Sequence, residues 1–417
     1  MDTSPTSGLE HIWLPYTQMK TADAPLAVVS ADGVRLKLED GSELIDGIAS
    51  WWTAVHGYNH PHITRAIKAQ ADVMPHVMFG GLVNEPALKL AGRLAALAPG
   101  DLSKVFFAES GSVSVEIALK MAVQYWKNRG EAGRTQFLSF RGGYHGDTTA
   151  AMAVSEPDGM HAAFDDFVPK EIFAELPETD AREAALEETL KKHQGNLAGI
   201  VTEPLVQGAG GMRFHDARVL KKIREAADRH GLLLIVDEIF TGFGRTGTMF
   251  ASEQAGIVPD IMCLSKALTG GTLPLSCAIA RPHVYEAFLD DDPAKAFMHG
   301  PTYMGNALGC AAANASLDLF ESEPRLEQAA AISEQLSEEL QYCQNLKAVK
   351  NVRVKGAIGV VELKETPNHD LLKKAFVKKG VWVRPFGNIV YLTPPLVIKP
   401  DDLSTLTGAI HEVLREI

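Results

Sequence analysis

An aspartate and a lysine, each placed just after an apolar run, carry the first chemical signal. Asp237 follows Leu232 to Val236, a fully apolar stretch of strand length, and Lys266 follows a second apolar stretch at 261–264. Residues in such places sit at the carboxyl edge of an open α/β sheet, where ligands bind. A lysine there can be desolvated, lose basicity and form a Schiff base with an aldehyde. A carboxylate at the neighbouring strand end can keep a pyridine nitrogen protonated, which turns the ring into an electron sink. A turn-capping Asp237 and a surface Lys266 account for the same pair.

A third element lies upstream. In AESGSVSVEIALKMA, Gly111 and Ser112 stand between a strand at 104–108 and a helix at 113–128. Glycine lets backbone approach a ligand, and first-turn N–H groups with the helix dipole hold a phosphate. A plain serine cap is the alternative. A phosphate cradle, an aspartate strand end and a lysine strand end, in that chain order, are what pyridoxal phosphate requires.

The elements that must position these residues follow from pattern. Strand-like runs at 104–108, 136–140, 197–202, 232–236, 261–264 and 275–280 alternate with amphipathic helices such as 86–97, 113–128 and 216–230. Buried strands alternating with helices predict an α/β fold, a mainly parallel central sheet with helices on both faces. Before this core, AVVSADG, VRLKLEDG and SELIDG each end in Asp-Gly, which favours tight hairpins. After it come helical residues 308–344 and a small α+β unit: 352–363, a helix at 369–379, 381–384, 389–392 and a helix at 401–416. The expected division is an N-terminal segment 1–60 that joins the small domain, a large α/β domain 61–310 and a small C-terminal α+β domain 311–417. Residues 1 to about 10 are small and polar and are expected to fray.

Composition narrows the function. The chain has 417 residues, 46% of them apolar, with 40 Lys plus Arg against 52 Asp plus Glu and a net charge of −12. That acidity argues against nucleic acid or an anionic membrane as partner. Cys263, Cys277, Cys310 and Cys343 are far apart and form no CxxC pair, so they read as buried thiols of a reducing compartment and no metal site is expected. MDTSPTSGLE lacks the basic and apolar regions of a signal peptide, and the apolar runs are too short to cross a bilayer. The expectation is a soluble, cytoplasmic protein.

Three other motifs compete. Gly242 to Gly247 (GFGRTG) matches GxGxxG, but no clean helix follows it, which weakens a nicotinamide-binding reading. His56, His60 and His62 lie among Gly57, Asn59 and Pro61, so they read as turn histidines and not as ligands of a metal. REAALEETLKK at 182–192 reads as a solvated helix face.

Over nearly its whole length the sequence resembles the class III, fold-type I pyridoxal-phosphate aminotransferases. The resemblance rests on HIWLPYTQM at 11–19, GIASWWTAVHGYNHP at 47–61, HVMFGG at 76–81, FRGGYHGDT at 140–148 and EPLVQGAGGM at 203–212. It continues through DEIFTGFGRTG at 237–247, LSKALTGGT at 264–272, HGPTYMGNALGCAAANASL at 299–317 and VWVRPFGNIVYLTPP at 381–395. WLPYTQM, Trp51-Trp52 and RPFGN are similar to the branch of biotin biosynthesis that aminates 8-amino-7-oxononanoate, usually with S-adenosylmethionine as donor and in some members with lysine.

The resemblance implies roles. Lys266 would bind pyridoxal 5′-phosphate as a Schiff base and shuttle the proton. Asp237 would pair with the ring nitrogen, Gly111 and Ser112 would bind the phosphate, Tyr144 would stack on the ring, and Glu203 would lie on the ring-oxygen side. Pro301 and Thr302 would reach the phosphate in the other subunit of a homodimer, with Gly300 offering backbone contacts to substrate. Tyr16, Trp51 and Trp52 would wall the substrate channel, and Arg384 would clamp the substrate carboxylate. From the residues alone, Trp51-Trp52 are equally core packing or a dimer seam, and Arg384 a surface ion pair. Pro385 favours an extended backbone at Arg384, which suits a strand end facing a cleft.

Overall fold

A computed structural model describes residues 7–417. Strands Lys104–Ala108, Ser276–Ala280, Ile261–Leu264, Leu233–Asp237, Leu197–Thr202, Gln136–Phe140 and Ile172–Ala174 form, in that spatial order, one seven-stranded sheet. The inner strands are buried along their whole length, as their unbroken apolar runs demand. Pairing is parallel through most of the sheet. Ser276–Ala280 runs against both its neighbours. The reason is chain length: the connection 265–275 is too short for the crossover of about a dozen or more residues that a parallel partner needs. Lys266 lies on this short reversing connection.

Helix Gly111–Asn128 packs Val115, Ala118 and Ala122 against the sheet. It starts earlier than its pattern suggested. Ser110 is the cap, accepting a hydrogen bond from the Val113 N–H at 3.3 Å, so Gly111 and Ser112 form the first turn and not the loop before it.

Val28–Asp32, Arg35–Leu38 and Glu43–Asp46 form an antiparallel meander, and Val381–Trp382 adds to it in parallel beside Glu43–Asp46. Gly33 and Gly41 turn with φ of +53° and +86° at the first two Asp-Gly pairs. The third pair makes no hairpin. The buried Asp46 carboxylate accepts instead from the backbone N–H groups of Ile48 and Ser50, both at 2.8 Å, and from the Tyr58 hydroxyl at 2.5 Å.

The expected helical stretch 308–344 is two helices, Ala307–Ser322 and Arg325–Leu340, interrupted at Pro324. The run 352–363 is a hairpin of Val349–Lys355 and Ile358–Leu363, extended by Ile389–Leu392 into a three-stranded sheet. The strand expected at 381–384 ends at Trp382, leaving Arg384 beyond it. The 242–247 loop docks on the hairpin tip: Arg245 is buried, and its Nη1 donates to the carbonyls of Ala357 at 3.2 Å and Pro394 at 2.8 Å. The next helix, Ser252–Ala255, is a single turn, so the strand–loop–helix of a dinucleotide site is not formed.

His56 lies between Ser316 Oγ at 3.0 Å and Arg325 Nε at 2.9 Å, and His62 meets Asp318 at 2.8 Å. All four cysteines are free and buried. Leu9–His11 forms a 3-10 turn within the stretch expected to fray, and residues 1–6 lie outside the described residues. Among the described residues no helix is long and apolar enough to cross a membrane.

The Gly356 turn tests the joint between the 242–247 loop and the hairpin. A Cβ there would lie 2.3 Å from the Thr246 carbonyl carbon, at a φ of +53°. Gly356→Ala is expected to destabilise the fold by about 1–3 kcal/mol, read as a lower urea midpoint.

Candidate active site

The site forms where strands Leu197–Thr202, Leu233–Asp237 and Ile261–Leu264 end at the same sheet edge. The buried Asp237 is the last residue of its strand. Its Oδ1 accepts from the Ile239 N–H at 3.0 Å, and its Oδ2 lies 2.9 Å from His145 Nδ1. Burial opposes charge on His145, but the hydrogen bond and charge of Asp237, joined by the charge of Glu203, outweigh it and raise the His145 pKa. His145 was not singled out from sequence. Its signal was only its place beside Tyr144 in FRGGYHGDT.

Glu203 follows the next strand and is also buried. Burial raises its pKa to about 7, although it accepts from the backbone N–H groups of Gly208 at 2.9 Å and Tyr144 at 3.0 Å. Glu203 therefore fixes the loop that carries Tyr144. The Tyr144 ring stacks on His161 with centroids 5.7 Å apart, and its hydroxyl donates to Asp147 at 3.0 Å. Asp147 also accepts from the Tyr16 hydroxyl and lies 2.9 Å from His161 Nε2. Asp147 and His161 are further site residues that sequence reasoning passed over.

Lys266 adopts a φ of +45°, the left-handed region that non-glycine residues seldom occupy, and starts the turn Lys266–Thr269. Its Nζ sits 4.1 Å from the Trp52 ring centroid and 5.7 Å from that of Phe240. Desolvation lowers its pKa to about 8, against the opposing charges of Asp237 and Glu203. About a tenth of this amine is thus neutral and nucleophilic at pH 7, far more than of an ordinary lysine.

The phosphate-cradle candidates face the same region. Ser112 Oγ accepts from the Asp147 N–H at 3.1 Å. Among the described residues no acceptor reaches the N–H groups of Gly111 and Ser112 at the helix start. A Cβ at Gly111 would press on Ile239 at 3.0 Å, and one at Gly146 would strike Ser112 Oγ at 2.3 Å, so both glycines keep this end of the helix open and close-fitting.

A cavity of about 1120 Å³ opens in front of Lys266, lined by Tyr16, Trp51, Trp52, Tyr144 and Arg384 among others. Tyr16 meets Trp51 edge-on at 6.0 Å, and Trp52 packs on Phe240 at 4.1 Å. The Arg384 guanidinium lies 4.7 Å from the Trp51 ring centroid, and among the described residues no carboxylate oxygen lies within 4.0 Å of it. It is not the surface ion pair allowed by sequence. Gly300, Pro301 and Thr302 are not brought to this cavity. They lie on an irregular segment where the Thr302 carbonyl accepts from His76 Nε2 at 2.9 Å.

A depressed lysine and an arginine without a carboxylate partner among the described residues line one cavity, with two buried carboxylates acting on the lysine and an open helix start nearby, and this set suits a phosphorylated aldehyde with a basic ring nitrogen and an anionic substrate. Comparison with known proteins agrees. A sequence model for "Aminotransferase class-III" matches residues 16–414. The adenosylmethionine-8-amino-7-oxononanoate aminotransferase of Mycobacterium leprae is 44% identical over 413 residues, covering 97% of this chain and 94% of the relative. The protein of that name from Buchnera aphidicola is 42% identical over 415 residues, covering 98% and 96%. Among solved structures, the same-named protein of Methanocaldococcus jannaschii has a TM-score of 0.94 at 34% identity, covering 99% of this chain and 98% of that one. An amine transaminase from an uncultivated Pseudomonas species, in PLP-bound form, has a TM-score of 0.89 at 32% identity, covering 97% and 98%.

The lysine's electrostatics can be read directly. Trace labelling of Lys266 by acetic anhydride, followed by mass spectrometry across pH, is expected to titrate near 8. In Asp237→Asn the midpoint is expected to fall further, because the carboxylate's charge holds the ammonium form.

Proposed function

The chain belongs to the class III aminotransferase family, and from that premise we propose that it aminates 8-amino-7-oxononanoate to 7,8-diaminononanoate in biotin biosynthesis. S-adenosylmethionine is the amino donor and pyridoxal 5′-phosphate the cofactor. The observation that carries the substrate is Arg384, a cation without a carboxylate partner among the described residues, in the aromatic-walled cavity that also holds Lys266. The relatives' names point to the same acceptor.

When bound, the cofactor supplies an aldehyde for the lysine amine and a protonated ring that takes up the electron pair released at the substrate carbon. The N–H groups of Gly111 and Ser112 hold its phosphate at the helix start. Asp237, itself oriented by His145, presents a carboxylate to the ring nitrogen. Tyr144 would cover one ring face and exclude water, and Glu203 would lie on the ring-oxygen side. Lys266 Nζ removes the proton at the reacting carbon of the donor and, in the second half-reaction, returns one to the acceptor; a pKa near 8 suits both directions. Donor and acceptor thus use one site in turn, a ping-pong sequence.

Tyr16, Trp51 and Trp52 bury the acceptor's methylenes at about 0.8 kcal/mol each. Arg384 takes its carboxylate through two parallel N–H donors. The protein acts in the cytoplasm as a homodimer, in which Pro301 and Thr302 reach the partner's phosphate and Gly300 its substrate. Within this reading residues 1–60 join the small domain 311–417 that carries Arg384, and 61–310 form the cofactor-binding domain.

Adding S-adenosylmethionine to the holoenzyme is expected to bleach the cofactor's visible band, and adding the keto acceptor to restore it. A band that persists with this donor and with lysine overturns the assignment. Lys266→Ala is expected to abolish turnover. Arg384→Ala is expected to raise the acceptor KM by about tenfold or more, equivalent to about 1.4 kcal/mol.

A further inference from the structure

Four consecutive non-glycine residues of the channel wall hold a left-handed backbone. Ala49, Ser50, Trp51 and Trp52 have φ of +47°, +49°, +56° and +74°. A side chain disfavours this conformation, so a run of four persists only where its surroundings over-determine it. The turn is closed by hydrogen bonds from the Trp52 N–H to the Ile48 carbonyl at 2.9 Å and from the Thr53 N–H to the Ala49 carbonyl at 2.8 Å. Its external lock is Asp46. That carboxylate is fully buried and grips the turn through the N–H groups of Ile48 and Ser50. The Tyr58 hydroxyl donates to the same carboxylate. Tyr58 is anchored in turn by paired backbone bonds with Gly33, at 2.7 and 3.2 Å.

The handedness has a geometric result. In a strand, Trp51 and Trp52 would point to opposite faces. Here both line one cavity and meet different chemistry. The Trp52 ring lies beneath the Lys266 amine at 4.1 Å, while the Trp51 ring lies beside the Arg384 guanidinium at 4.7 Å. One rigid turn therefore touches both the nitrogen that handles the reacting carbon and the cation that takes the distant carboxylate.

We propose that the turn Ala49–Trp52 is a ruler that sets the chain length of the acceptor, and that Asp46 and Tyr58 are the positioning residues that lock it. The inference rests on the function proposed above and adds its selectivity: an ω-carboxylate acceptor is chosen by the spacing between Lys266 and Arg384 across two adjacent indoles. Loosening the lock lets Trp51 shift against Arg384 and Trp52 shift against Lys266.

The test uses Tyr58→Phe, which removes one hydroxyl. In the holoenzyme, kcat/KM is compared for 8-amino-7-oxononanoate and for homologues one methylene shorter and longer. The preference for the natural length is expected to shrink by about tenfold, the scale of discrimination that one methylene commands, with the loss in KM rather than kcat. In the full-length, cofactor-stripped chain, acetic anhydride labelling of Lys266 is expected to titrate at a midpoint displaced from that of the wild type, because the Trp52 ring no longer holds its place against the amine. Asp237 and Glu203, the charged groups acting on Lys266, are unchanged by this substitution.

Ser50→Gly added to Tyr58→Phe removes much of the strain at position 50 and is expected to recover both readouts. A uniform loss over all three acceptors with an unmoved Lys266 titration overturns the proposal, as does a double variant that recovers neither readout. If the wild type aminates none of the acceptors, the proposed function fails, and the Lys266 titration still decides whether the turn is locked by Tyr58.

Discussion

A sheet buried on both faces offers no water to charges at its edge, and this constraint organises the whole site. Asp237, Glu203 and His145 are buried at that edge with Lys266 beside them, so the carboxylates' charges act on His145 and on the lysine. The carboxylates raise the pKa of His145 against its burial, burial raises that of Glu203 to about 7, and burial lowers that of the lysine to about 8. The hydrogen bond from His145 to Asp237 anchors the set. It gives two buried polar groups the partner that water does not supply there, so the electrostatics are built by the fold before any ligand arrives.

The parts legible in sequence were those governed by local pattern. Unbroken apolar runs located the strands, and residues immediately after them, Asp237 and Lys266, were therefore placed at the correct edge. The helix start at Gly111 and Ser112 was legible within two residues. Non-local effects were hidden. The reversal at Ser276–Ala280 follows from connection length, but apolar runs of parallel and antiparallel buried strands read alike. His145 became visible only when its partner came from a different strand. The third Asp-Gly pair looked like the other two, but its carboxylate is buried and takes the N–H groups of Ile48 and Ser50 together with the Tyr58 hydroxyl, a set assembled only by the fold. Arg384 could be singled out only by likeness to a family, because its lack of a carboxylate partner is a property of the folded surroundings.

The GFGRTG loop illustrates how a motif can be right in letters and wrong in use. Its glycines permit close approach, but what approaches is the Lys355 to Ala357 turn and not a phosphate. Arg245 spends its charge on backbone carbonyls, tying the loop after the Asp237 strand to the C-terminal sheet. Through that joint the edge that carries Asp237 and the C-terminal sheet are held as neighbours.

The parallel pairing of Glu43–Asp46 with Val381–Trp382 brings opposite ends of the chain together directly beneath the tryptophan turn. Such a contact has very high sequence separation and is late and slow to form. On the ribosome, the nascent chain can build its seven-stranded sheet long before this pairing becomes available. The cavity in front of Lys266 is therefore completed only after synthesis is nearly finished, because Trp382, Arg384 and Tyr391 close its wall.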